Sequence, residues 1–165
     1  MHPFEDVVAR ACALINAFRR RGLPIVLVNV DGTAPGRTER PRHSGPFPDG
    51  WTELIPELDR RPGDIVVTKR TWGAFASTDL EKQLRARSVT QVVVAGVATG
   101  TGVESTARQA YEAGFNVTLA TDAMTDARPN AHAYSIEQVF PRLGETGSTQ
   151  AIIDLLERTN AHELA

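Results

Sequence analysis

Four nearly unbroken apolar runs recur along this chain: "LPIVLVNV" (23–30), "DIVVTK" (64–69), "QVVVAGV" (91–97) and "FNVTLA" (115–120). A strand with water on one face alternates apolar and polar residues. A strand that is apolar at successive positions expects cover on both faces, which is the signature of parallel sheets. Between and around these runs lie helical patterns. The first is "EDVVARACALINAFRRRG", which places Val8, Cys12, Ile15 and Phe18 on one face, sets Arg19 to Arg21 near the C-terminal end and stops at Gly22. Apolar strands alternating with amphipathic helices specify an α/β fold, a mostly parallel sheet with helices on both faces.

The remaining segments fit that frame. "STDLEKQLRARS" reads as a helix with Ser77 or Thr78 as N-cap, and "VESTARQAYEAG" as a helix closed by Gly114. "NAHAYSIEQVFPRLG" reads as a helix ended by Pro141 and Gly144, and "STQAIIDLLERTN" as a last helix capped by Ser148. "WTELIPELD" is a short helical piece limited by Pro56. "DGTAPGRTERPRHSGPFPDGW" is a long loop rich in Pro, Gly and Arg, of the kind that usually serves function or moves. No repeat or interdomain linker interrupts the pattern, so residues 1–165 are expected to form a single domain.

Composition closes off several function classes. A net charge of −2 offers no bulk attraction to nucleic acid or an anionic membrane surface. No apolar run is long enough to span a bilayer, and the N-terminus carries no basic-then-apolar signal pattern. The single cysteine forms no internal disulfide and suits a reducing compartment, so a cytoplasmic location is expected. The histidines, His2, His43, His132 and His162, pair with no other metal ligand at a recognised spacing, and neither metal nor cofactor is expected. His43 sits in the long loop where a ligand contact is conceivable; His132, near a helix start, is expected to be structural. Cys12 falls on the apolar face of the first helix and reads as a buried structural thiol.

Sites in parallel sheets gather beyond the carboxyl ends of the strands. Those ends carry Asp31, Lys69, the turn from Val97 to Gly102, and Asp122. Lys69 is one of two lysines in the chain. At a strand end an amine is open to desolvation, which fits it for proton transfer or anion stabilisation. A snorkelling surface lysine is the competing reading. The stretch Gly100-Thr101-Gly102-Val103-Glu104-Ser105, with Asp122 downstream, partly matches a dinucleotide fingerprint, but Ser105 replaces its third glycine. A nucleotide binder is therefore a weak alternative, beside the plain reading of a tight strand-to-helix turn.

Three segments taken together, "TKRTWGAFASTDLEKQL", "VVVAGVATGTGVESTARQAYEAGFNVTLATDAM" and "AHAYSIEQVFPRLGET", resemble the isochorismatase-like hydrolase superfamily over most of the chain from Leu23 onward. The resemblance implies a Rossmann-type three-layer fold and hydrolysis of amides and related C–N bonds by an Asp, a Lys and a Cys. It assigns the lysine to Lys69 and the cysteine's position to Gly102, and it maps a non-proline cis peptide onto Val97-Ala98. The turn thus resembles a nucleophile site without its nucleophile. Isochorismatases proper also carry Gly there and cleave a vinyl ether without a covalent intermediate. The family's first strand, which ends in the Asp and lies mid-sheet, has no counterpart here, so a gap with unpaired strand edges is expected. Asp31 matches the second strand by its order and inherits no acid role.

The resulting expectation is a hydrolase of a small molecule with an amide, ester or vinyl-ether bond. Lys69 would handle the proton, with Ala98, Thr99, Gly100, Thr101 and Gly102 lining the site and Trp72 and Phe75 as apolar walls. A non-catalytic relative that binds a small carboxylate, or an assembly subunit, is the alternative. The resemblance also implies a homo-oligomer.

Overall fold

The structure, a computed structural model, describes residues 1–40, 45 and 47–163, with side chains described up to 158. His43 therefore lies outside the described residues. The elements run α1 (Phe4–Arg20), β1 (Val26–Val30), a 3-10 turn (Pro56–Leu58), β2 (Ile65–Lys69), α2 (Leu80–Ala86) and β3 (Gln91–Val97). A π turn (Thr99–Val103) then leads into α3 (Glu104–Glu112), followed by β4 (Asn116–Thr125) and α4 (Pro129–Tyr134). A second π turn (Ser135–Val139), a 3-10 turn (Phe140–Arg142), β5 (Glu145–Gly147) and α5 (Thr149–Glu163) complete the chain.

Helix ends follow their residues. α1 has Glu5 and Asp6 in its first turn and Arg19 and Arg20 in its last, each opposing the helix dipole at its end. Gly22 takes φ +65° just beyond, where a side chain would be strained, and the Leu23 N–H returns to the Phe18 carbonyl. At α2 the Thr78 hydroxyl accepts the Leu80 N–H at 3.2 Å, and at α5 the Ser148 hydroxyl accepts the Ala151 N–H at 3.2 Å.

All strand pairs are parallel, but they fall into two sheets, β1–β2 and β3–β4–β5. No ladder joins the two among the described residues. This is the expected break in the sheet. Both sheets contribute to one core. Ile65 and Val67 of β2 meet Val117 and Leu119 of β4 under Leu80 and Leu84 of α2 and Ala107 and Ala110 of α3. The opposite face of β4 packs Ala120 and Ala123 against Leu14 of α1 and Ile152 of α5. Helices thus cover both faces.

The α1 stripe differs from the periodicity reading. Val7, Leu14 and Ala17 are fully buried, while Val8, Cys12, Ile15 and Phe18 are half-buried. The apolar arc is wide, and the helix rolls so that Leu14 meets the small alanines of β4 while Cys12 reaches the Glu57 carbonyl at 3.1 Å. The reading of one continuous helix from 130 to 144 is also corrected. Its helix ends at Tyr134 and gives way to the wider π turn and then the 3-10 turn, with Pro141 inside the latter.

Candidate functional site

Two chain segments meet at the carboxyl ends of the strands. The first leaves β2. Lys69 is buried, and its amine donates to the Trp72 carbonyl. The loop is clamped from α3: Gln109 accepts the Phe75 N–H at 3.0 Å and the Ala76 N–H at 3.3 Å. Gly73 leaves room for this clamp, since a Cβ there would displace the Gln109 amide. Thr106 accepts the Ala74 N–H at 3.2 Å and donates to the Gly102 carbonyl at 2.7 Å, so one threonine ties both segments together.

The second segment leaves β3. The Val97-Ala98 peptide is cis, and the chain then winds through the π turn into α3. The Thr101 and Val103 N–H groups both donate to the Ala98 carbonyl at 3.1 Å. The buried Thr99 hydroxyl bonds His132 Nδ1 at 2.8 Å. Gly100 sits against Ala131 of α4, where an added Cβ would come within 2.9 Å of the alanine side chain. Its N–H donates to Asp126 Oδ2 at 2.8 Å.

Gly102 lies where the two segments face each other. A Cβ placed on it would stand 3.2 Å from Lys69 Nζ and 3.6 Å from each of the Trp72 and Val97 carbonyl oxygens. The bare α-carbon is therefore lined by a tight polar cradle made of one amine and two carbonyls. Burial pushes the Lys69 amine below the ordinary lysine value. No carboxylate bonds it among the described residues.

The remaining expected residues separate. The Trp72 side chain and Val97 are exposed at 68% and 52%, both next to the cradle in sequence. Phe75 is half-buried at the edge of the core, its ring 5.8 Å from that of Phe115. Asp122 lies inside β4 rather than at its end. It accepts the Thr149 N–H and hydroxyl at the start of α5 and pairs with Arg10 at 3.6 Å. The dinucleotide fingerprint is thereby left without a free acid. Asp31 pairs with the exposed Arg70 at 2.9 Å. Cys12 is half-buried, its thiol pushed up by burial and by Glu57 against a smaller opposing pull from Arg19.

Two residues absent from the sequence reading belong to this region. Asp126, buried, accepts from the Gly100 and Arg128 backbone N–H groups and from Arg128 Nε at 3.2 Å. Arg128 Nη2 reaches the Thr101 hydroxyl at 2.7 Å. The signal lay in "TDARP", an acid two residues before an arginine and a helix-starting proline. Its link to a turn 26 residues away is a tertiary matter. Among the described residues no group of three or more His, Cys, Asp or Glu is placed to hold a metal ion. No helix among them is long and apolar enough to cross a membrane.

Comparison with known proteins agrees with this architecture. The isochorismatase domain matches residues 1–151. An isochorismatase family protein of Bacillus subtilis (strain 168) is 39% identical over 157 residues, which cover 90% of this chain and 82% of that protein. The ureidoacrylate amidohydrolase of Variovorax paradoxus (strain S110) is 37% identical over 162 residues, 82% of this chain and 64% of that protein. The solved structure of an isochorismatase family protein from Burkholderia thailandensis superposes with a TM-score of 0.88 at 40% identity, covering 93% of this chain and 84% of that one. This chain belongs to the isochorismatase family, and its relatives include hydrolases.

Proposed function

We propose that this isochorismatase-family chain hydrolyses a small molecule at the cradle over Gly102, cleaving an amide, ester or vinyl-ether bond without a thiol nucleophile. The observation that carries this reading is the Lys69 amine beside a bare α-carbon. The resemblance puts a cysteine at that position in many relatives, and glycine leaves its volume to substrate and water. A relative named for ureidoacrylate amidohydrolysis supports the amide member of the set.

The chemistry rests on one titratable group. Burial lowers the proton affinity of Lys69, so its neutral amine is more available near neutral pH than that of a surface lysine. For an amide or ester, the amine takes a proton from the attacking water as the new C–O bond forms, whereas for a vinyl ether the charged amine would instead protonate the double-bond carbon before water adds. It returns the proton to the leaving nitrogen or oxygen as that bond breaks. In its charged form it steadies the oxyanion between these steps. Ala98, Thr99, Gly100, Thr101 and Gly102 would form the floor, and Trp72 and Phe75 the apolar walls.

One observation favours a binder instead: among the described residues no carboxylate bonds the Lys69 amine. The two readings part on turnover. A panel of simple amides, esters and vinyl ethers should reveal one hydrolysed class, with Lys69→Met lowering its rate at least about a hundredfold. Equal rates in both proteins would remove Lys69 from the chemistry. Ligand-induced thermal stabilisation with no turnover across the panel would establish the binder.

We further propose self-association, at least to a dimer. It is supported by the exposed Trp72, Val97, Tyr134 and Leu155 and by the unladdered strand edges. A monomer by light scattering at micromolar concentration would refute it. A cytoplasmic setting fits the single cysteine.

A further inference from the structure

We propose that the amino ends of the strands carry a second binding site, a pocket for the phosphoryl group of a small molecule, walled by Arg19, Arg20 and Arg61. It is independent of the cradle at Gly102.

Arginines are concentrated at this corner, in a chain whose net charge is −2. Arg19, Arg20 and Arg21 lie at the end of α1, and Arg60 and Arg61 in the turn before β2. A pocket of about 320 Å³ lies between them, lined by Asn16, Arg19, Arg20 and Arg61. The helix dipole accounts for basic residues in the last turn of α1. It does not account for Arg61, which a separate stretch of chain delivers to the same pocket, or for a lining without a carboxylate.

The carboxylates of this corner orient the arginines instead of facing the pocket. Arg19 Nη2 donates to Asp64 Oδ2 at 2.6 Å and to the Asp59 carbonyl at 2.7 Å, and Nη1 donates to Asp59 Oδ2 at 3.2 Å. The Arg19 side chain is 10% exposed, and its buried Nε has no partner among the described residues. Arg61 donates from Nε and Nη2 to the same Asp59 oxygen at 3.0 and 2.7 Å, and its Nη1 has no acceptor among the described residues. Arg20 is exposed and makes no ion pair among them. Three guanidiniums against two carboxylates leave the corner positive, and the unspent donors belong to the residues that line the pocket. A phosphoryl group answers this arrangement, with at least three acceptor oxygens and about −1.5 to −2 charge at neutral pH. Guanidinium forks pair with such oxygens two at a time. Arg19 and Arg61 are held in place already, so they lose little rotamer freedom on binding. β2 begins at Ile65 beside this corner and ends at Lys69, about 13 Å further along the strand, beyond the reach of one small molecule.

The test titrates inorganic phosphate and glycerol 3-phosphate into the intact chain by calorimetry at low, matched ionic strength, with acetate as the singly charged control. Both phosphoryl compounds should bind at least about tenfold more tightly than acetate. They should also raise Tm, because the two walls of the pocket come together only in the folded chain. Arg20→Gln and Arg61→Gln both alter exposed side chains, and each should weaken phosphoryl binding about tenfold. Lys82→Gln, exposed on α2, should leave it unchanged. Tighter binding of glycerol 3-phosphate assigns an organic phosphate to the pocket, and equal binding assigns the free ion. The proposal is overturned by no saturable binding of either compound, by acetate bound as tightly, or by an affinity that both arginine variants keep. Binding is read without turnover, so a chain that hydrolyses nothing at Gly102 can still pass this test, and an active one can fail it.

Discussion

β3 and β4 are adjacent and parallel, and β3 is the more apolar, yet β4 is the more deeply buried. β4 reads "NVTLATDAMT" and buries Val117, Thr118, Leu119, Ala120, Ala123 and Met124. β3 reads "QVVVAGV", and no residue in it is fully buried. Cover above and below does not explain this. Val92 and Val94 pack on the core beneath α2 and α3, while Val93 and Ala95 pack on the α1 side. The difference is lateral. β4 has β3 on one side and β5 on the other, whereas β3 has β4 alone. β1 tells the same story from the other sheet, with Val28 40% exposed in an apolar strand. An apolar pattern states what a strand needs, and its neighbours decide what it receives.

That contrast can be broken most forcefully by truncating one side chain in each strand. Leu119→Ala should cost about 2–5 kcal/mol, because the site is fully enclosed and cannot collapse. Val94→Ala should cost less than about 1.5 kcal/mol, since the vacated space is reached by water. Urea unfolding of both variants measures the gap. Equal losses would mean that β3 is as enclosed as β4.

Hydrogen exchange sharpens the same point at the backbone. Alternate amides of a parallel strand point to opposite neighbours. The β3 amides directed away from β4 should exchange at least about a hundredfold faster than those of β4 at Leu119 and Ala120. Uniform protection along β3 would show that its outer edge is covered in solution.

Lys69 closes the partner sheet and gives a smaller, pH-dependent effect. Its folded-state proton affinity is lowered from 10.5 by burial, so the unfolded chain binds more protons. Stability therefore rises with pH through the window between the lowered folded value and 10.5, and the penalty is full below it. Lys69→Met should flatten that rise and raise stability at pH 7 by about 1 kcal/mol or more. A variant that keeps the rise would place the titration elsewhere. Asp126 works in the opposite sense. Burial raises its carboxyl, but the Arg128 and Gly100 contacts outweigh burial and hold it below 3.8, so its contribution is present at neutral pH and fades as pH falls through the lowered value.

The smallest effect belongs to Cys12, in the outer stripe of α1. Cys12→Ala should lower stability by less than about 1 kcal/mol and leave turnover unchanged, because the thiol is half-buried and among the described residues bonds only the Glu57 carbonyl. Its raised thiol should also alkylate more slowly than a thiol introduced by Gly102→Cys at the helix start beside Lys69. A faster Cys12 would contradict the cradle drawn around Gly102.

Much was legible in the residues alone. Uninterrupted apolar runs separated by amphipathic helices specify a parallel sheet with two covering layers, because such strands have no face to give to water. The strand-end position of Lys69 and the glycine turn after β3 put both at the carboxyl ends of parallel strands, where the structure brings Lys69 and Gly102 face to face. Local rules also named the Ser148 cap and left Ser77 or Thr78 for α2, of which Thr78 accepts the Leu80 N–H. What the sequence could not decide was which polar groups spend their charge internally. Asp122 had the look of a free strand-end acid and is consumed at the start of α5. Asp126 and Arg128 drew no notice and hold the turn. Each of those outcomes depends on atoms brought within 3 or 4 Å across dozens of residues of chain, and periodicity carries no record of such long-range hydrogen bonds. The roll of α1 and the open flank of β3 belong to the same class. They were settled by how elements fit beside one another, after each had been specified on its own.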